Sequence, residues 1–222
     1  MEIEHPVQPL QRELKYVFPN LRAGWLREWL GARCQPDAEF AAGRISSIYF
    51  DTGAETLLDE KVNSDYQKTK VRLRWYGDWV TGAPGGAVFL EVKQRFGSTR
   101  RKFRQRLAWT AAELEGMALE DARLLDVNRM VGEAGFRFAG PLRPAICLAY
   151  RRRRYLEAAT GTRICLDHDI CPVRIHAGLG GLVRGQPLAE GVFEVKGAVE
   201  RLPETLAPLI ALPAVAFTPL LA

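Results

Sequence analysis

Residues 88–106, VFLEVKQRFGSTRRKFRQR, place charged side chains where a buried strand would normally carry apolar ones. Side chains point to alternate faces along a strand, so Glu91, Lys93 and Arg95 share one face while Leu90 and Val92 take the other. Past a turn that contains Ser98 and Thr99, Arg100, Lys102, Arg104 and Arg106 again share one parity. Two adjacent cationic faces repel each other unless an anion lies between them. Arg presents a planar fork that grips phosphate oxygens in pairs, and Lys a mobile point charge. The chemistry this stretch suits is therefore the binding of a polyanion, phosphate chains above all.

The same alternation recurs along the chain. Residues 13–18, ELKYVF, carry Glu13 and Lys15 on one face and Leu14 and Tyr16 on the other. Residues 68–76, KTKVRLRWY, set Lys70, Arg72 and Arg74 opposite Val71, Leu73 and Trp75. Residues 146–157 and 162–169 read as two strands joined by a turn, with Arg151, Arg153 and Tyr155 on one face of the first and Arg163, Cys165, Asp167 and Asp169 on one face of the second. Residues 192–197, VFEVKG, bring Glu194 and Lys196 to one side. A glutamate stands two positions before a lysine three times, in Glu13/Lys15, Glu91/Lys93 and Glu194/Lys196. These carboxylates, chiefly Glu194 with Glu91 and Glu13 behind it, could hold a divalent metal that bridges phosphate oxygens.

The elements that must position these groups are mostly strands. Residues 44–52, RISSIYFDT, read as a further strand, and 81–86, TGAPGG, as a loop that lacks the lysine and hydroxyl of a P-loop. A helix capped by Asn20 runs to about Arg33, with Leu21, Trp25, Leu26, Trp29 and Leu30 at core-facing spacing. Thr110 and Glu113 form a capping box that opens a helical region reaching, with one break, to about Gly135. Near the end, Pro203 opens a helix that turns Leu206, Leu209 and Ile210 inward. An antiparallel sheet with one face in water shows the same alternation, but here Arg and Lys dominate the polar faces. The expected fold is α+β: a closed or nearly closed antiparallel β tunnel with a cationic interior and helices packed outside.

Length and composition narrow the rest. The 222 residues suit a single domain spanning the chain. A net charge of +5 and a pI near 9.2 fit an anionic partner without choosing one. Cys34, Cys147, Cys165 and Cys171 form no CxxC pair, which favours reduced core thiols and a cytoplasmic location over a zinc site. Neither a signal peptide nor an apolar run long enough to span a bilayer is visible. No RNA-binding aromatic motif or helix-turn-helix spacing appears, so no nucleic-acid partner is expected. His168, between Asp167 and Asp169, reads as a hairpin surface position, and His5 and His176 as loop residues.

Taken together, ELKY, SIYFDT, KVRLRWYG, FLEVKQR, the hairpin from YRRRRY to RICLD, and FEVKG resemble the VTC domain. This is the polyphosphate polymerase branch of the CYTH, or triphosphate tunnel metalloenzyme, superfamily. The resemblance covers roughly residues 13–216 and implies an antiparallel β tunnel with helices outside. It further implies that Lys15, Arg72, Arg74, Lys93, Lys102, Arg151, Arg153, Arg163 and Lys196 bind phosphates, with Lys70 beside them, and that Glu194 binds metal. The activity implied is transfer of the γ-phosphate of ATP, or another nucleoside triphosphate, to polyphosphate or pyrophosphate with Mn²⁺ or Mg²⁺; a membrane partner is compatible with it. Triphosphatase relatives carry ExExK where this chain has a single glutamate in ELK. The Ser-Lys-aromatic motif that commonly ends the family's domain is not found up to Ala222.

Overall fold

The computed structural model describes residues 12–63, 65–97, 99–176, 184–197, 201–211 and 218–219. In chain order the elements are β1 (Arg12–Pro19), a 3₁₀ turn (Asn20–Arg22), α1 (Ala23–Gly31), β2 (Gln35–Pro36), β3 (Ala42–Thr52), α2 (Thr56–Val62), β4 (Gln67–Gly77), β5 (Pro84–Phe96) and β6 (Thr99–Thr110). There follow α3 (Ala111–Gly116), a 3₁₀ turn (Ala122–Leu125), α4 (Asp126–Glu133), β7 (Leu142–Glu157), β8 (Thr162–Ile175), β9 (Glu190–Gly197), α5 (Pro208–Ala211) and β10 (Thr218–Pro219). The antiparallel, helix-backed α+β architecture expected from the alternation is the one observed.

The chain forms two compact units, each from separated segments. The first takes in residues 1–43, 151–170 and 188–222, and its strands follow the order β10-β1-β9-β8-β7, with β2 paired to β7. Its apolar core gathers Phe18, Tyr155, Ile164, Leu166, Phe193 and Val195 from the strands around Leu26 and Leu30 of α1 and Leu206 and Leu209 of the last helical segment. The second unit, residues 44–150 and 171–187, carries the order β3-β4-β5-β6. Ile48, Phe50, Val71, Leu73, Trp75, Leu90 and Val92 there pack against Leu57 of α2, Leu114 of α3 and Val127 and Val131 of α4. In each unit the strands' second parity is left to ionic residues.

Local chemistry explains most element boundaries. The capping box at α3 is formed: Thr110 Oγ1 accepts from the Glu113 amide at 3.2 Å, and Glu113 Oε2 accepts from the Thr110 amide at 2.7 Å. Asn20 departs from its expected capping role. Its side-chain amide donates to Asp169 Oδ1 at 2.9 Å and its Oδ1 accepts from the Asp169 amide at 2.8 Å, clasping a residue with φ of 53°. Of the expected apolar stripe only Leu26 and Leu30 are buried, whereas Leu21 and Trp25 are exposed, because the first turn is 3₁₀ and changes the angular spacing. Helix α2, read from sequence as a polar connection, is seven residues long and starts where the Asp51 carboxylate accepts from the Leu57 and Leu58 amides, each at 2.9 Å. The 81–86 segment is shorter as a loop than expected, since Pro84, Gly85 and Gly86 already lie in β5, where Pro84 and Gly85 pair with Gly77 and Tyr76. Of the glycine-rich loop read from sequence at 178–191, residues 178–183 lie outside the described residues, and Glu190 and Gly191 already belong to β9.

Gly191 in β9 is the position with least room. A Cβ there would lie 2.8 Å from Phe18 Cε1 and 2.7 Å from the Asp167 carbonyl oxygen. Gly191→Ala is therefore expected to lower stability by about 1–3 kcal/mol through overpacking, read as a reduced urea midpoint with unchanged slope.

Candidate functional site

Strand registers in the second unit align its ionic side chains in rows. Ser47, Arg74, Phe89 and Arg106 form one row across β3-β4-β5-β6; Tyr49, Arg72, Glu91 and Arg104 form the next. Lys70, Lys93 and Lys102 stand directly opposite one another in the third row, and Lys68, Arg95 and Arg100 in the fourth. Opposed residues on an antiparallel pair have Cβ atoms about 5 Å apart, and like charges at that spacing destabilise the sheet. Two consecutive all-cation rows therefore form a surface whose electrostatics improve when a multivalent anion lies across it.

In the first two rows Arg72, Arg74 and Arg104 are held in place by Glu91 and its neighbours. Glu91 Oε2 accepts from Arg72 Nε at 2.7 Å and lies 3.8 Å from Arg74, while Glu91 Oε1 lies 3.3 Å from Arg104 Nε. Arg74 is buried and also donates to Ser47 Oγ at 3.2 Å and Tyr150 Oη at 3.1 Å. Burial pushes the Glu91 carboxyl up, but Arg72, Arg74 and Arg104 outweigh it and hold it below the usual carboxylate range. Tyr49 accepts from Arg72 at 3.3 Å, with Lys70 Nζ 5.6 Å above its ring. Burial raises the Tyr49 phenol, yet Arg72, Lys70 and Arg74 more than reverse this and bring it to about 8.

The first unit holds an ionic ladder of balanced sign. Register sets Glu13 opposite Lys196 and Lys196 opposite Arg163, and in the next row Lys15 opposite Glu194 and Glu194 opposite Cys165. Lys15 Nζ is 3.0 Å from Glu13 Oε1 and 3.8 Å from Glu194 Oε1; Lys196 Nζ is 3.0 Å from Glu194 Oε1 and 4.0 Å from Glu13 Oε1. Arg152 closes the ladder with a bidentate pair to Asp167 and a 3.8 Å approach to Glu194. Burial holds the Lys196 ammonium below the usual lysine range, against the opposing pull of Cys165, Glu13 and Asp167.

Most of the residues singled out from sequence fall on these two faces: Lys70, Arg72, Arg74, Glu91, Lys93 and Lys102 in the second unit, and Glu13, Lys15, Arg163, Glu194 and Lys196 in the first. Arg151 and Arg153 do not. They share the parity of Tyr155, which is buried in the apolar cluster, so the ionic face of β7 belongs instead to Tyr150, Arg152 and Arg154. Arg151 lies beside His168 and Asp169. His168 is itself buried rather than at a hairpin surface, its Nδ1 3.0 Å from Asp169 Oδ2. A run of four arginines hides its own parity, and the buried Cys147 and Tyr155 that flank it were the markers that could have fixed it. Sequence reasoning also passed over Ser47, Tyr49 and Tyr150, although the alternation in SSIYF puts Ser47 and Tyr49 on the face opposite Ile48 and Phe50.

An antiparallel sheet whose polar face is ruled with arginine and lysine is chemically suited to an anionic ligand. The VTC domain model matches residues 10–215, and the chain belongs to the VTC domain family. A search of curated proteins finds no match. Among solved structures, a candidate adenylate cyclase from Bacillus halodurans is 16% identical, with 86% of this chain and 81% of that chain covered and a TM-score of 0.49. A candidate adenylyl cyclase from Hippeastrum with a dominant triphosphatase activity is 16% identical over 90% of this chain and 83% of its own, with a TM-score of 0.44. A Pyrococcus horikoshii OT3 protein is 14% identical over 89% and 82%, with a TM-score of 0.43.

The Tyr49 phenol gives this face a spectroscopic handle. Its ionisation near pH 8 in the folded protein, against about 10 in an unfolded chain, means that the unfolded state binds more protons between those values. The stabilisation from Tyr49 is therefore present in full above pH 10 and is lost as pH falls through 8. Ultraviolet titration should show one tyrosine ionising near pH 8 that Tyr49→Phe lacks, and the stability difference between the two proteins should grow from pH 8 to 10.

Proposed function

We propose that this protein is a phosphoryl transferase that moves the γ-phosphate of ATP onto the end of a growing polyphosphate chain. The observation that carries this reading is the pair of all-cation rows, Lys70–Lys93–Lys102 and Lys68–Arg95–Arg100, beside arginines that Glu91 holds in fixed orientation. A linear phosphate chain presents charge at a regular spacing, as these rows do. Family membership supports the reading.

The transfer needs no protein nucleophile: a terminal oxygen of the acceptor chain attacks the γ-phosphorus in line, the bond from that phosphorus to the β–γ bridging oxygen breaks, and ADP leaves. What the protein supplies is position and charge neutralisation for oxygens that share negative charge in the transition state. Arg72, half-buried, and Arg74, buried, are tethered before substrate arrives by Glu91, Ser47 and Tyr150 and are suited to that task because they need little reorganisation. Lys93 and Lys102, both exposed, suit the binding of donor and acceptor phosphates.

Glu13 Oε1 and Glu194 Oε1 share the same two ammonium groups, so two carboxylate oxygens converge on common cations. That donor pair fits Mn²⁺ or Mg²⁺, which take one or two carboxylates and complete their shell with phosphate oxygens. When bound there, the ion would neutralise charge on the phosphate oxygens that complete its own shell. Glu91 does not fit, as both its oxygens are committed to arginines. Among the described residues no group of three or more His, Cys, Asp or Glu is arranged to hold a metal. The free thiols suit a cytoplasmic setting, where ATP is available. No described helix is long and apolar enough to cross a membrane.

Purified protein given ATP and Mn²⁺ is expected to release ADP and lengthen polyphosphate, and Lys93→Ala to lower kcat/KM by about 10²–10³. Orthophosphate release without chain growth would replace this reading with hydrolysis, and tight binding without turnover would make the protein a sensor.

A further inference from the structure

Arg104 is held unlike the other cations of its face. Its guanidinium carbon lies 3.7 Å from the centroid of the Phe89 ring, so one side of its plane is covered. Its Nε lies 3.3 Å from Glu91 Oε1 and its Nη2 donates to Tyr76 Oη at 3.1 Å, so two of its three nitrogens already have protein partners. Tyr76 in turn meets Phe89 edge to face, at 6.3 Å and 76°. The side chain is nevertheless 50% exposed. A guanidinium set over a ring, bonded at its edge and half-exposed, is poorly placed to fork a phosphate, since forking uses edge donors. It is well placed to receive a planar π system, because arginine stacks on aromatic faces and a fixed plane loses little freedom on binding.

We infer that Arg104, supported by Phe89 and Tyr76, is the nucleobase platform of the phosphate donor. The inference rests on the functional reading above and adds to it the group that distinguishes a nucleoside triphosphate from an inorganic phosphate chain. Arg104 precedes the all-lysine row in the register, with Lys102 two residues away on β6, about 7 Å along the strand. A ribose joining a base over Arg104 to phosphates on Lys102 and Lys93 covers such a distance. Stacking of this kind tolerates different bases, as every base has a π face, so the platform selects nucleotides as a class.

The test compares ATP with inorganic tripolyphosphate as ligands of the whole chain, in wild type and in Arg104→Lys, which keeps the charge and removes the plane. Arg104→Lys should weaken ATP about ten-fold and tripolyphosphate less than two-fold. Phe89→Leu, which removes the supporting ring alone, should move the same ratio in the same direction by less, and serves if the lysine variant does not fold. Equal weakening of both ligands would make Arg104 a phosphate contact, and unchanged ATP affinity would leave it a structural ion pair; either overturns the platform. Failure of the polymerase reading shows separately, as absence of polyphosphate from a wild type that binds both ligands. Binding of neither ligand by the wild type would overturn the platform and the phosphate-binding face together.

Discussion

The pairing of Glu91 with Arg72, Arg74 and Arg104 is the interaction on which the rest of the second unit's ionic face depends. Guanidinium groups on neighbouring strands repel at cross-strand distances, and a buried one such as Arg74 carries a desolvation cost that only hydrogen bonds and opposite charge can offset. One carboxylate at the centre of β5 meets both demands, with Ser47 and Tyr150 completing the arrangement at Arg74. The lysine row below and the Lys68–Arg95–Arg100 row beyond it have no carboxylate in register. The face thus sets three arginines around one carboxylate beside rows in which cation stands opposite cation across the strands.

The first unit solves the same problem by alternation. Along β1 and β9, Glu13, Lys15, Glu194 and Lys196 set opposite charges face to face, and Arg152 with Asp167 extends the pattern. Such a ladder is close to neutral as it stands.

Strand parity made much of this legible. In β4 the alternation KVRLRW left no ambiguity, because Val71, Leu73 and Trp75 are all buried and the cations between them must share the other face. The same logic failed in β7, where YRRRRY offers four equivalent side chains in succession and only the distant Cys147 and the single Tyr155 report which parity is apolar. Asn20 was misassigned for another reason: capping is a local inference, and its actual partner, Asp169, is 149 positions away. Tyr49 escaped notice because its chemistry comes from its neighbours. A tyrosine is unremarkable by type, and its shifted phenol arises only when Arg72, Lys70 and Arg74 are brought around it by pairing of β3 with β4. Helix α2 depends on Asp51 reaching amides six and seven residues ahead, a contact with no periodic signature.

The central claim is that the cation rows exist to hold a phosphate chain. The most direct measurement is the thermal midpoint as a function of tripolyphosphate concentration, set against sodium chloride of matched ionic strength, for wild type and a Lys70/Lys93/Lys102 triple-alanine variant. Ligand that binds only the native state raises the midpoint in proportion to the logarithm of its concentration once the site is saturated. The account predicts such a rise for wild type at micromolar to millimolar tripolyphosphate, absent from chloride and largely lost in the variant. A wild-type response no greater than that to chloride, or one retained in full by the variant, would contradict it.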